Sequence, residues 1–468
     1  MSERERLSLG IIGNLSNRGG ADEPRSRARF VDVDRDELDA VFERLAPAIH
    51  LELPFLSSLC LSAVDDFHPD PLSERVPALA SLIEARESVD QPGTMRRLIE
   101  EAGADASLAD TRDATAPKTS PPPSTVAEVE NGGALLDAIV AEQSQGPEPG
   151  PRARSADPDF DRLIAEIAEA STDRTDYEQQ DRWRSAIDRE LAARVRAILH
   201  HTRFQQLEAT WRALGGLVRA IDDAMVRIRI LDISQENLLA ELDDGADLEE
   251  TTLHRLVDQE ERGTRGGDPF DLLVGDFFLE TGTQDLRLLR HLGEVARSAQ
   301  VPLVAGAGAS LLEVDPQRQR GADWEDWRRS ETAGWVGLCA PRVLLRLPYG
   351  PTTEPVDRFD FDEEVSHSDP SGYLWGNPAY LFARAAAEAF ARGGSLDALP
   401  RHAELSGLPL HVYRANGVNE YLGPTERILP DREIEALIER GLIPLAGLRG
   451  GDSARIMSLR SIAGTPLI

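Results

Sequence analysis

The hydrophobic positions of this chain change period several times, and each change marks an element. Leu7 to Ile12 and Arg29 to Val33 are short β-prone runs. After Asp34, the residues Leu38, Val41, Phe42 and Leu45 recur at helical spacing, which predicts an amphipathic helix. Ile49 to Leu53 and Leu59 to Ala63 read as strands. Asp70 followed by Pro71 then predicts an N-cap and a first helical residue for a helix reaching about Ser88, with Leu72, Val76, Leu79, Leu82 and Ile83 on one stripe. Residues 157–225 are helical in pattern, in three stripes: Phe160, Leu163, Ile164 and Ile167; Leu191, Val195, Ile198 and Leu199; Phe204, Leu207, Trp211 and Leu214. Val226 to Ile230 alternates strictly with Arg227 and Arg229, the signature of a half-exposed strand, and Ser234 caps a further helix. Phe270 to Phe277, Leu286 to Ala299 and Val301 to Ala305 follow as strand, helix, strand, the order of right-handed βαβ units under a sheet covered on both faces. Gly337 to Pro348 adds an apolar run, and helices are expected over Tyr373 to Arg392 and Glu433 to Arg440.

The fold class that follows is α/β: two α/β units, residues 1–102 and 226–468, joined by a Pro-rich linker at 103–156 and the helical region at 157–225. The linker cannot bury enough apolar surface to order itself. Within it Leu135, Leu136, Ile139 and Val140 repeat at i, i+1, i+4, i+5, which predicts a short amphipathic helix over 133–142 on a tether. Its apolar face suits either a partner protein or docking back onto the body.

Charge narrows the function. Against 51 Lys and Arg stand 82 Asp and Glu in 468 residues, a net charge of −31 that repels a phosphate backbone, so nucleic acid is not an expected partner. Cys60 and Cys339 form no metal or disulfide pattern and are expected to be reduced and buried. No apolar stretch reaches the roughly 20 residues of a membrane span, and the first residues lack a signal-peptide core, so membrane insertion is not expected and the cytoplasm is the expected compartment.

Three places could carry chemistry. The cluster Asp65, Asp66, Phe67, His68, Pro69 and Asp70 offers oxygen and nitrogen ligands, but at no known metal spacing, and reads better as a turn before a helix. His200 and His201 with Glu208 lack HxxxH spacing and read as structural. Gly306 and Gly308 follow a strand without GxGxxG or a GK[ST] ending, so a tight turn is the better reading than a phosphate loop. Catalytic, cofactor and metal sites are therefore not expected, and an enzyme is the weaker alternative.

Several stretches together resemble the contractile sheath of the bacterial type VI secretion system, with both sheath subunits in one chain. The small-subunit resemblance covers Leu7 to Asp90 and rests on the segment Arg29 to Arg35 and on Asp65 to Asp70 before Val76 to Leu79. The large-subunit resemblance runs from Leu135 to Ser461. Its motifs are Ile198 to Arg212, with His200, His201, Phe204, Leu207, Glu208, Trp211 and Arg212; Val226 to Asp232; Pro269 to Asp276, with Gly275; Pro341 to Gly350, with Arg342, Arg346, Pro348 and Tyr349; and Tyr373 to Asn377, with Trp375 and Gly376. Thr202 and Ala213 depart from an expected proline and glycine. The small-subunit part departs from the family after Asp90, the segment from Ala391 to Leu410 is short, and the chain ends at Ile468 near where the family continues. The resemblance implies a non-enzymatic structural role, a scaffold role for these motif residues, and sheath subunits as partners, with the inner tube, the baseplate and a ClpV-type AAA+ unfoldase as further ones. It also implies that the 133–142 helix is the unfoldase grip. A non-polymerising adaptor or cap on the sheath is the alternative within the system, and the net charge favours poor self-assembly of the isolated chain.

Overall fold

The computed structural model describes residues 6–18, 28–89, 176–221, 224–264, 267–313, 322–366, 369–415 and 417–468. The tethered helix expected at 133–142, the whole of the linker at 103–156 and the stripe from Phe160 to Ile167 lie outside them. Among the described residues no helix is long and apolar enough to cross a membrane. The chain divides into two compact units, one of residues 1–74 with 192–468, the other of residues 75–191.

The first unit is built on a nine-stranded mixed sheet. In chain order its elements begin with β1 (Leu7–Gly13), β2 (Val31–Val33), α1 (Leu38–Leu45), the hairpin β3 (Ala48–Leu53) and β4 (Leu56–Cys60), and α2 (Pro69–Arg75). Beyond α3 (Pro77–Ser88) and α4 (Asp176–Leu199) follow α5 (Thr202–Ala220), β5 (Val226–Asp232), α6 (Gln235–Asp243), β6 (Leu272–Leu279), α7 (Thr283–Ala299), β7 (Leu303–Ala307) and β8 (Val336–Ala340). The last part holds β9 (Val343–Leu344), β10 (Trp375–Gly376), α8 (Ala379–Gly393), β11 (Glu404–Leu405), the hairpin β12 (His411–Ala415) and β13 (Val418–Leu422), α9 (Asp431–Glu439), β14 (Leu442–Gly447) and β15 (Ala454–Ile456).

The sheet order is β11-β15-β14-β8-β7-β6-β1-β5-β2. Six central strands are parallel; β2 pairs antiparallel with β5 at one margin, and at the other β15 pairs antiparallel with β14 and β11 antiparallel with β15. β1 is buried along its whole length, as a parallel strand flanked on both sides must be. It pairs with β5 from Leu7 against Val226 to Gly13 against Asp232, and with β6 from Leu9 against Leu272 to Ile12 against Gly275. The N-terminal segment thus supplies a central strand of the sheet that the rest of the chain completes. Alternate residues of β7 and β8 (Leu303, Ala305, Ala307; Val336, Leu338, Ala340) share one apolar cluster with Leu288, Leu289, Leu292 and Val295 of α7. That is the period of two meeting the period of 3.6.

In the second unit, Leu79, Leu82 and Ile83 of α3 and Ile187 and Leu191 of α4 are buried, and Arg86 Nε lies 2.6 Å from Asp188 Oδ1.

Several expected boundaries move, each for a local reason. The helix expected to reach Ser88 breaks after Arg75, because Pro77 cannot donate its nitrogen and holds Val76 extended (φ −86°, ψ 112°). That helix also starts at Pro69, one residue earlier than the expected cap, with His68 Nδ1 accepting the Asp70 N–H at 3.2 Å. The helix expected from Tyr373 starts at Ala379, after Pro378 at its N-cap, and Trp375 and Gly376 pair with β9 instead. The expected strand at Leu59 to Ala63 is the hairpin arm Leu56–Cys60, which leaves Cys60 exposed on its outer side while Cys339 is buried. β5 is nearly all buried rather than half exposed, because β2 covers its outer edge and both arginines find partners. Arg229 reaches Ser8, Glu261 and the Asp268 carbonyl and stacks 3.9 Å over Phe270, whereas Arg227 pairs with Asp32 and Asp268.

Candidate functional site

The motif residues are scattered over 300 positions of sequence, yet most of them converge around α5. This helix opens at His201, whose Nδ1 accepts the Arg203 N–H at 3.3 Å. One side of α5 carries Phe204, Leu207 and Trp211 into an aromatic seam with the N-terminal segment. Phe67 meets Phe204 edge-on at 5.5 Å, Phe42 lies 6.0 Å from Phe67 and 4.5 Å from Trp211, and the indole N–H of Trp211 donates to the Leu15 carbonyl at 2.9 Å. Trp211 is fully buried, so this bond satisfies the one polar atom its burial would otherwise strand.

The other side of α5 holds a buried ion network centred on Arg346. Its Nε lies 2.8 Å from Glu208 Oε1, and its Nη1 lies 2.7 Å from Glu363 Oε2. Arg212 binds Glu208 at 2.7 Å and donates to the Tyr349 hydroxyl at 2.7 Å, while the Tyr349 N–H and His200 Nε2 both reach Glu363, at 2.8 and 3.4 Å. Arg346 also stacks 4.2 Å from the centre of the Tyr349 ring, which His68 meets edge-on at 4.8 Å. Burial opposes ionisation of Glu363, but the Arg346 charge and the hydrogen bonds from His200, Arg346 and Tyr349 prevail and hold its pKa down at about 2. Burial also works against the Arg346 charge, yet Glu208 and Glu363 hold it protonated well above the ordinary arginine range. Two acids, two guanidinia, an imidazole and a phenol share one water-poor site with their charges matched. Such an arrangement fixes geometry, with each of these acids paired to a guanidinium.

The residues from Asp65 to Asp70 are used singly rather than as a ligand set. Asp66 accepts the N–H groups of Ser62 and Ala63 at 2.6 and 2.9 Å, Asp65 is exposed, and Asp70 accepts those of Asp357 and Arg358, both at 3.1 Å. The turn clamps the N-terminal segment to the loop beyond Gly350. In that loop Gly350 donates its N–H to the Glu354 carbonyl at 2.8 Å and Pro348 accepts from Thr353 at 2.5 Å.

A third node gathers around Asp276. Thr210 donates its hydroxyl to Asp276 Oδ2 at 2.6 Å, and Asn377 Nδ2 reaches Asp276 Oδ1 at 3.3 Å. The same amide donates to the carbonyls of Gly275 and Phe277 at 3.1 and 3.2 Å, where the β6 register to β7 slips between Gly275 and Phe278. Asn377 therefore satisfies carbonyls that the bulge removes from the ladder. Nearby, Pro341 leads into Arg342, which forks onto Glu426 at 2.6 and 2.8 Å. Trp375 donates to the Pro370 carbonyl at 2.7 Å, and a Cβ at Gly376 would come within 2.5 Å of Leu345. Gly306, expected to follow the strand, lies within β7 against the Phe278 ring, and at Gly308 just after it a Cβ would fall 2.2 Å from Glu280, whose carboxylate accepts the Ser310 hydroxyl at 2.5 Å.

Sequence reasoning missed Glu363, Thr210 and Glu426. For Glu363 a signal exists, since Phe359, Phe361 and Glu363 are all buried two residues apart, with exposed Asp360 and Asp362 between them and exposed Glu364 after them.

Residues 181–463, well over half of the chain, match the VipB family, described as EvpB/VC_A0108, tail sheath N-terminal domain. The chain belongs to the VipB tail-sheath family. Residues 6–93 match a second family, described as type VI secretion system, VipA, VC_A0107 or Hcp2, so the protein is a fused member of the type VI secretion sheath family. It is 30% identical over 338 residues to the type VI secretion system sheath protein TssC1 of Pseudomonas aeruginosa, an alignment covering 66% of this chain and 67% of that protein. The aromatic seam and the Asp70 clamp therefore join residues in the VipA-matching range to residues in the VipB-matching range.

Proposed function

We propose that this sheath-family protein is a non-enzymatic, cytoplasmic structural protomer of a type VI secretion contractile sheath, in which the VipA-like and VipB-like parts act as one folded body. The observation that carries the reading is β1: a strand from the VipA-matching range lies between β5 and β6 of the VipB-matching range and pairs with both. A wholly buried strand at that position makes the N-terminal segment part of the core, so separation would expose two sheet edges and an apolar face. A protease site placed within residues 103–156 tests this. After cleavage the fragment carrying residues 1–102 should co-elute with the remainder at moderate salt, and clean separation of two folded fragments would overturn the single-body reading. Other sheath subunits are the partners this reading requires, and electron microscopy of the chain mixed with separate subunits should show it incorporated or seated on sheath ends. The inner tube and the baseplate are further partners under the same reading. For a ClpV-type unfoldase the site offered is Leu135, Leu136, Ile139 and Val140. Leu136→Asp with Ile139→Asp should weaken binding of a 133–142 peptide to the unfoldase in an anisotropy titration, and equal affinity would exclude it.

A further inference from the structure

The order of the parallel strands reverses at β1, with β5 on one side and β6, β7, β8 and β14 on the other. At such a switch the chains leaving the carboxyl ends of the two neighbouring strands diverge and open a crevice. Here that crevice encloses about 390 Å³ and is lined by Asn14 after β1, Gln205 of α5, Gln235 of α6, Asp276 and Phe278 of β6, and Trp375.

Its chemistry is one-sided. Asp276 is the contrast to Glu208 and Glu363: the groups that meet it, Thr210, Asn377 and the Tyr380 hydroxyl, are neutral, and among the described residues no cation is paired with it. Gln235 already donates its amide to Asp285 at 2.8 Å, which leaves its carbonyl oxygen as the atom available for a ligand. Arg342, which also lines the crevice, is neutralised by Glu426. Phe278 is 39% exposed, and its covered side lies against Gly306, where a Cβ would come within 2.7 Å of the ring. A large aromatic left at the surface of a polar crevice offers its face to whatever enters.

We propose that the crevice receives the guanidinium of an arginine presented by a protein partner. A planar cation with five donors satisfies the Asp276 carboxylate, with Glu236 also lining the crevice, and amide oxygens while its face stacks on an aromatic ring. A phosphate would meet the carboxylates of Asp276 and Glu236, and a divalent metal would find only those two among the lining residues, short of the roughly six or more oxygens it takes. This inference does not rest on the sheath reading, since the crevice lies within one compact unit and its chemistry is the same in a monomer.

The test is titration of the full chain with N-acetyl-arginine amide, N-acetyl-citrulline amide and N-acetyl-lysine amide, followed by saturation-transfer NMR. The arginine probe should bind saturably, with a dissociation constant on the order of millimolar as expected for one side chain. Citrulline, the uncharged isostere, and lysine should each bind at least about fivefold more weakly. Asp276→Asn should weaken the arginine probe by a similar factor, and Phe278→Ala, a change at an exposed ring that leaves the core intact, by about threefold. Equal binding of arginine and citrulline, equal binding of arginine and lysine, no saturation, or an affinity unchanged by Phe278→Ala would each overturn the proposal.

Discussion

Glu363 and Asp276 are both acids set in the interior beside α5, and the protein treats them in opposite ways. Arg346, the Tyr349 N–H and His200 all converge on Glu363 and hold it ionised down to a pKa of about 2. Asp276 has the hydroxyls of Thr210 and Tyr380 and the amide of Asn377 around it, so burial dominates and lifts its pKa above the ordinary value of 3.8. The first is the anchor of a charge-matched joint; the second is a carboxylate with no cation paired to it among the described residues. A carboxylate's place in a sequence motif therefore says less about its role than the sign of what surrounds it.

The contrast breaks most sharply at Arg346. Arg346→Met leaves Glu208 and Glu363 buried together and should cost about 3–5 kcal/mol, read as a lowered midpoint in urea. A loss under about 1 kcal/mol would show the network to be wetter than its geometry indicates. Trp211→Ala should cost a similar 3–5 kcal/mol by leaving a cavity against Phe42, and the lost indole bond to Leu15 adds to the same sign. An unchanged melting transition would remove the aromatic seam from the scaffold.

The acid limb comes next. Because the folded pKa of Glu363 is depressed from 4.5 to about 2, its contribution is complete above pH 4.5 and is lost as the pH falls toward 2, a loss of about 3 kcal/mol. Glu363→Gln should flatten stability across that window in acid titrations followed by circular dichroism. An acid limb identical to that of the parent would assign it to other carboxylates. For Asp276 the sign is reversed, since a raised folded pKa means that stability falls as the pH rises above 3.8. Asp276→Asn should accordingly be the mildest of these changes, within about 1 kcal/mol of the parent at pH 7, and should remove that decline. A destabilisation as large as that of Arg346→Met would mean that the ionised form is an anchor after all.

The apolar periods carried the fold a long way. The spacing of Leu286 to Ala299 gave α7, that of Phe204 to Leu214 gave α5, and the order of strands and helices gave the α/β class. The periods could not give the partner of β1, because pairing over more than 200 residues leaves no local trace, nor the break at Val76, which one proline imposes on a stripe that continues in phase across it. The site was legible as a set of motifs and illegible as an arrangement. His68, His200, Glu208, Arg212, Arg346 and Tyr349 were named from sequence, but their common centre depends on Glu363, which stands in an acidic stretch that reads as solvated surface until the alternation of Phe359 and Phe361 is noticed. The alternation at Arg227 and Arg229 misled for a related reason: a charged residue looks exposed in sequence, and only the fold shows that Asp32, Glu261 and Asp268 come to meet it.

The placement of β1 also sets a timetable for the ribosome. Leu7 to Gly13 emerges more than 200 residues ahead of its neighbours Val226 to Asp232 and Leu272 to Leu279. At about 5–20 residues per second, this apolar strand waits on the order of ten seconds or longer for its first neighbour, with both backbone edges unpaired. A nascent chain in that interval is a target for holding chaperones, and ribosome profiling with selective chaperone capture should find its occupancy rising soon after Gly13 leaves the tunnel and falling once β6 has emerged.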